Sequence, residues 1–198
     1  MGSVSSGFAA VNDLARESRW LHGPMTFYAN DGVVLFGILL LAGYLIARRS
    51  GRALLVTRSL LAGAGVLLAV AVNQPIVHAV DEPRPYATLG HVLLLVHRSS
   101  DASFPSDHAT MAGAVAVGLL MVHRRLGLIA TVAALLMAFT RVYVGAHYPV
   151  DVVAGLAVGG LVAYAVQLLA RPMTGLIVRL EATPMAWAVR PIGFGRGT

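Results

Sequence analysis

Five long apolar runs, separated by short polar breaks, make up most of the chain. The first covers Gly32 to Ala47 (GVVLFGILLLAGYLIA) and extends backwards through Phe27 and Tyr28. The second starts near Leu54, is continuous from Ser59 to Val72, then passes through Asn73-Gln74-Pro75 to Val80, which predicts a helix kinked at Pro75. The third is Ala109 to Val122, the fourth Leu126 to Phe139 and the fifth Val152 to Ala170. A spanning helix needs about 20 apolar residues, and the first run reaches this with its flanks. The segment His91 to His97 (HVLLLVH) is apolar but too short to span, so it reads as an interfacial or re-entrant piece.

The two ends of the chain differ from this pattern. In residues 1–25, Phe8, Val11, Leu14 and Ala15 recur at helical spacing, with Asp13, Arg16, Glu17 and Arg19 elsewhere. This predicts a short amphipathic helix at the interface, with Trp20 as a headgroup anchor. Residues 172–198 are mixed, contain Pro172, Pro184 and Pro191, and read as a peripheral tail. Neither an internal repeat nor a low-complexity linker divides the chain. The expected fold is therefore all-α: one polytopic membrane helix bundle over 1–198, with about five spans, an N-terminal interfacial helix and a short re-entrant or interfacial segment.

Composition supports a membrane protein. The chain is 57% hydrophobic and 12% charged, against roughly a quarter charged in a soluble domain. Its net charge is +6, and all fifteen basic residues are arginine. No basic patch interleaved with aromatics appears, so nucleic acid is not an expected partner. Cysteine is absent, which removes disulfides, thiolate metal sites and cysteine nucleophiles. The N-terminus has no basic stretch followed by an apolar core, so no cleavable signal is expected.

The arginines also orient the bundle. Ten (Arg48, Arg49, Arg52, Arg58, Arg124, Arg125, Arg171, Arg179, Arg190 and Arg196) fall on one side, and Arg16, Arg19, Arg84, Arg98 and Arg141 on the other. The positive-inside rule assigns the first side to the cytoplasm. Segments 81–105 and 141–151 then meet at the outer face.

That face gathers most of the polar chemistry. DEPRPY supplies Arg84; PSDH opens the third run with Ser106, Asp107 and His108; TRVYVGAHYPVDV supplies Arg141, His147 and Asp151. Arginine forks suit phosphate oxygens, and a helix starting near Ser106 offers free backbone N–H groups to an anion. His147 and Asp151 are four apart, with Pro149 suited to a first helical turn. A carboxylate facing the imidazole would fix its tautomer and leave the other nitrogen free to attack. His108 would then protonate the departing oxygen. This set fits phosphoryl transfer through a phosphohistidine, stabilised by Arg84, Arg141 and backbone amides. Two histidines and two aspartates also suit a metal, but two fixed positive charges in the same cluster argue against a cation.

These motifs resemble the type 2 phosphatidic acid phosphatase family of integral membrane phosphatases. Its signature is Lys-x6-Arg-Pro, Pro-Ser-Gly-His and Ser-Arg-x5-His-x3-Asp. Arg84–Pro85 matches the first part; Pro105–His108 matches the second, with Asp107 for glycine; Arg141, His147 and Asp151 match the third, with Thr140 for serine. The match covers residues from about 73 to 155. The resemblance implies His147 as nucleophile, Asp151 as its partner and His108 as general acid. It also implies that Arg84, Arg141 and Ser106, with Asp107 beside them, hold phosphate, without metal or cofactor. Val77 stands where the family has lysine, and Arg98 is the candidate substitute phosphate contact.

The Asp107 variant resembles the family's bacterial branch, which hydrolyses the cell-wall carrier undecaprenyl diphosphate. The expected partners are thus the bilayer and a polyprenyl diphosphate, in a bacterial plasma membrane with the site facing outwards. Phosphatidic acid, phosphatidylglycerol phosphate or another prenyl phosphate is the alternative substrate. A non-catalytic lipid binder or transporter is the alternative of another class, and a haloperoxidase fits a chain of membrane spans poorly.

Overall fold

A computed structural model describes residues 2–180, and every regular element among them is helical. In order these are α1 (Gly2–Glu17), α2 (His22–Asp31), α3 (Val33–Arg49), α4 (Ala53–Val80), α5 (Pro85–Thr88), α6 (Asp107–Val122), α7 (Arg124–Tyr143), α8 (Pro149–Gln167) and α9 (Ala170–Leu180). Three stretches are long and apolar enough to cross a bilayer: Ala53–Thr88, which joins α4 to α5, then α7 and α8. The α2–α3 pair, bent by 57°, adds a fourth if taken as one broken span, and α6 is apolar but only 16 residues long. The protein is a multi-span membrane helix bundle.

α6 lies at the centre, packed against α8, α7, α4 and α3. Its core-facing residues are small: Ala109, Ala112, Ala114 and Ala116 are buried, with Val115 and Leu119 filling the space toward Phe36 and Met137. Lipid tails are as apolar as leucine, so association inside a bilayer depends on close packing rather than on escape from water. The α6–α8 contact is built that way. A Cβ on Gly155 would sit 2.6 Å from the Ser106 carbonyl oxygen, and one on Gly159 would overlap the Thr110 carbonyl. The Gly155–Gly159 pair therefore lets α8 lie directly on the backbone of α6.

Three expectations change. The first run does not continue α3 back through Phe27 and Tyr28. The chain bends at Gly32, because the Tyr28 hydroxyl donates to the Ala133 carbonyl (2.9 Å) and holds α2 on α7. On α1, Phe8, Asn12 and Ala15 face inward while Leu14 is 45% exposed. The helix packs on α7 and α8, and its buried face is set by those protein partners. Phe8 meets the Tyr148 ring edge-on at 5.7 Å, and Trp20 stays exposed.

The start of the expected peripheral tail is the third. Residues 170–180 form α9, whose Ile177 packs with Ala47, Val56 and Val122. The rest of that tail, with Pro184, Pro191, Arg190 and Arg196, lies outside the described residues. Segment 92–95, inside the expected interfacial piece, carries no helix.

Gly159→Ala should lower thermal stability in detergent by about 1–3 kcal/mol, the usual scale of overpacking. Gly63→Ala, where an added Cβ meets nothing within 4 Å, should leave the midpoint unchanged or slightly raised. Equal midpoints for the two variants would contradict the direct α6–α8 contact.

Candidate active site

α7 ends at Tyr143, and the chain must reverse within five residues to begin α8 at Pro149. It does so through three hydrogen bonds: Val144 N–H to the Thr140 carbonyl (2.9 Å), Gly145 N–H to Val142 (3.0 Å) and Ala146 N–H to Arg141 (3.1 Å). Gly145 takes φ +80°, and a Cβ there would overlap the Leu93 carbonyl oxygen. Glycine is therefore required on both conformational and steric grounds. The tight turn leaves Arg141 8% and His147 2% exposed. α8 opens with Pro149 in its first turn and a capping box in which the Asp151 carboxylate accepts the Tyr148 N–H (2.8 Å).

The hydrogen bonds of His147 define its tautomer. Nδ1 is 2.9 Å from the Ser103 carbonyl oxygen, which can only accept. Nε2 is 3.2 Å from the Arg84 guanidinium, which can only donate. The proton therefore sits on Nδ1, and Nε2 carries the lone pair. Asp151 Oδ2 is 3.4 Å from Nδ1, farther than the carbonyl. That same oxygen also accepts from the Ser103 hydroxyl in a short contact. Asp151 thus acts on the imidazole both directly and by holding Ser103. Burial pushes the His147 imidazole from 6.5 down to about 4; the hydrogen bond to Asp151 opposes this, and the charges of Arg141 and Arg84 add to it. A neutral imidazole with an available Nε2 is the nucleophilic form.

A cavity of about 190 Å³ opens on this histidine, with Arg84, Arg141, Asp107 and His108 among its walls. The structure thus brings together five of the residues singled out by sequence. Arg84 is anchored by its Nε to the Asp101 carbonyl (2.8 Å) and by one terminal nitrogen to the Ala146 carbonyl (3.3 Å). Arg141 donates to the Ala29 carbonyl (3.3 Å), but its buried Nε has no acceptor among the described residues. A buried donor without an acceptor at a cavity wall suits an anion.

The other candidates are placed differently. Ser106 caps α6 behind the wall: its N–H donates to the Asp151 carbonyl (3.1 Å), and its buried Oγ has no partner among the described residues. Asp107 Oδ1 accepts from Asn73 (2.7 Å) and Gln74 (3.0 Å), which ties α6 to α4 beside Pro75. Arg98 is not in the cavity wall; its guanidinium lies 5.6 Å from the centre of the Tyr86 ring. A larger cavity of about 580 Å³, between α1 and residues 89–92, contains none of these residues.

Sequence reasoning passed over Ser103, His97 and the Asn73–Gln74 pair. Ser103 acts on His147 through its main-chain carbonyl, a group every residue has, so spacing alone could not select it. His97 closes the short segment that the sequence marks as interfacial or re-entrant, and it lines the cavity. Asn73 is wholly buried in an apolar helix, which was the available signal.

The chain as a whole is similar to known proteins. A family model described as the PAP2 superfamily matches residues 58–172. The undecaprenyl-diphosphatase BcrC of Bacillus subtilis is 33% identical over 177 residues, covering 87% of this chain and 89% of that one. Among solved structures, a transmembrane PAP2-type phosphatidylglycerolphosphate phosphatase from Bacillus subtilis superposes with TM-score 0.64 at 25% identity, over 87% of this chain and 89% of its own. LpxE of Aquifex aeolicus gives 0.58 at 25% identity, over 80% and 91%.

Two measurements check the site. Nitrogen NMR of histidine-labelled protein, with His147→Asn to assign the signal, should show a neutral Nδ1–H ring still present at pH 5.5. Because the folded pKa lies below the unfolded one, the stability that neutral His147 contributes is complete above about pH 6.5 and declines toward pH 4. Protonation of that ring near pH 6.5 would contradict the burial argument. Separately, Asp107→Ala should lower thermal stability by about 1 kcal/mol, while Asp107→Asn, which keeps an acceptor for both amides, should stay near wild type.

Proposed function

The chain belongs to the PAP2 superfamily, and from that premise we propose that it hydrolyses undecaprenyl diphosphate to the monophosphate and inorganic phosphate through a phosphohistidine on His147. The observation that carries this reading is a buried, neutral imidazole whose lone-pair nitrogen faces a cavity walled by two arginines. The related diphosphatase of Bacillus subtilis supports the choice of substrate.

The Nε2 lone pair attacks the terminal phosphorus while the bond from that phosphorus to the bridging oxygen breaks. The leaving polyprenyl monophosphate takes the bond's electron pair, with a proton from the His108 imidazolium, the form that the negative charge of the bound diphosphate favours. Nδ1 keeps its hydrogen bond to Ser103, so the charge developing on the ring is shared with that carbonyl and Asp151. Water then attacks the phosphorus, His108 takes its proton, and the P–N pair returns to His147. Arg141 and Arg84 stabilise the equatorial oxygens. Arg84 donates to Nε2 in the unliganded site, so an arriving phosphate must draw its guanidinium off the nitrogen and onto oxygen.

An outward-facing site follows from charge. The opposite end of the bundle carries Arg48, Arg49, Arg52, Arg58, Arg124 and Arg125, the side that the positive-inside rule keeps in the cytoplasm.

Phosphate release by the purified full-length chain in detergent, with chelator present, tests the reading against undecaprenyl diphosphate and phosphatidic acid side by side. The diphosphate should be preferred, and His147→Ala should lose at least a thousandfold in kcat. A preference for phosphatidic acid would move the substrate assignment to a glycerolipid. Substantial turnover by His147→Ala would remove the phosphohistidine.

A further inference from the structure

We infer that His97 binds the second phosphate of a diphosphate headgroup, and so lets this site distinguish a diphosphate from a monophosphate. The inference rests on the diphosphate reading above. The cavity runs from a buried floor, Arg141 and His147, to an exposed mouth where His97, Ser99 and Asp101 stand. A phosphoryl group attacked by Nε2 occupies the floor, so the rest of the headgroup must extend toward the mouth.

Most donors at the mouth are committed. The Tyr86 hydroxyl donates to the Ser99 carbonyl (2.9 Å) and accepts the Ser99 N–H (3.0 Å). The Ser99 hydroxyl donates to Asp101 (2.8 Å), and Arg84 Nε is held by the Asp101 carbonyl (2.8 Å). Asp101 and Asp107 bring negative charge, which repels a second phosphate. His97 makes no hydrogen bond within the protein among the described residues and lines the cavity. Its imidazole can offer an N–H to phosphate without breaking an existing contact.

Its backbone is fixed on both sides. Leu95 N–H donates to the Val144 carbonyl (3.0 Å), and Ser99 is closed onto Tyr86. The imidazole is therefore presented from a braced segment. Its neighbour Arg98 lies over the Tyr86 ring, outside the cavity wall.

The test is steady-state hydrolysis of farnesyl diphosphate by the full-length protein, with methylenediphosphonate and orthophosphate as competing inhibitors. His97→Ala should raise KM for the diphosphate and Ki for methylenediphosphonate about tenfold each, the worth of one hydrogen bond to a charged group. Its Ki for orthophosphate should move less than twofold, and the loss should fall on KM rather than kcat. His97→Gln, which keeps an N–H donor, should recover part of the methylenediphosphonate affinity. Equal weakening of both inhibitors, or of neither, would overturn the inference while leaving diphosphatase activity in place. A wild-type protein that hydrolyses neither farnesyl nor undecaprenyl diphosphate would instead overturn the reading on which the inference rests.

Discussion

The close approach of α8 to α6 is the constraint on which the site depends. With no side chains at Gly155 and Gly159, the α8 backbone lies against the carbonyls of Ser106 and Thr110. The Ser106 N–H then reaches the Asp151 carbonyl at 3.1 Å. The first turns of two helices are thereby cross-linked through main chain alone. His108 projects from one of those turns, and the turn carrying His147 leads directly into the other. Bulkier residues at this contact would separate His108 from His147 while leaving each helix intact.

The tight turn between α7 and α8 holds charge in a low-dielectric setting. Arg141 is 8% exposed and has no carboxylate within ion-pair distance among the described residues. An unpaired buried cation is strongly unfavourable, and in membrane proteins such residues mark sites of function. A bound phosphate would remove the imbalance by supplying the missing negative charge. His147 meets the same low dielectric in the opposite way: it stays neutral. In the proposed reaction the two responses are complementary, because a permanent cation attracts the substrate while a neutral imidazole attacks it.

Much of this was legible in the chain. Apolar runs located the helices because a membrane interior demands long stretches without charge. Histidine, arginine and aspartate stood out against that background at spacings that a shared bundle end could gather. The bend at Gly32 was not legible, because it depends on Tyr28 meeting a carbonyl 105 positions away. The inward face of α1 was hidden for the same reason: Asn12 reads as an ordinary polar residue until its partner, 81 positions on, is known. Asp107 reads from the sequence as a neighbour of the phosphate contacts, whereas its partners are two amides on α4. Periodicity reports how a helix divides its faces, not which distant main-chain group awaits a partner.

The N-terminal helix belongs to the architecture of the site for that reason. Segment 92–96 packs beside the turn that carries His147 and has no helical hydrogen bonds of its own. Its main-chain groups must find partners elsewhere. Asn12 supplies two at once, accepting the Leu93 N–H (3.0 Å) and donating to the Leu93 carbonyl (2.9 Å). That carbonyl lies directly over Gly145, two residues before His147. A chain of contacts therefore runs from α1 through Leu93 to the turn that holds His147. An amphipathic helix that sequence alone assigns to the membrane surface thus also holds down the apolar segment packed against the turn before His147.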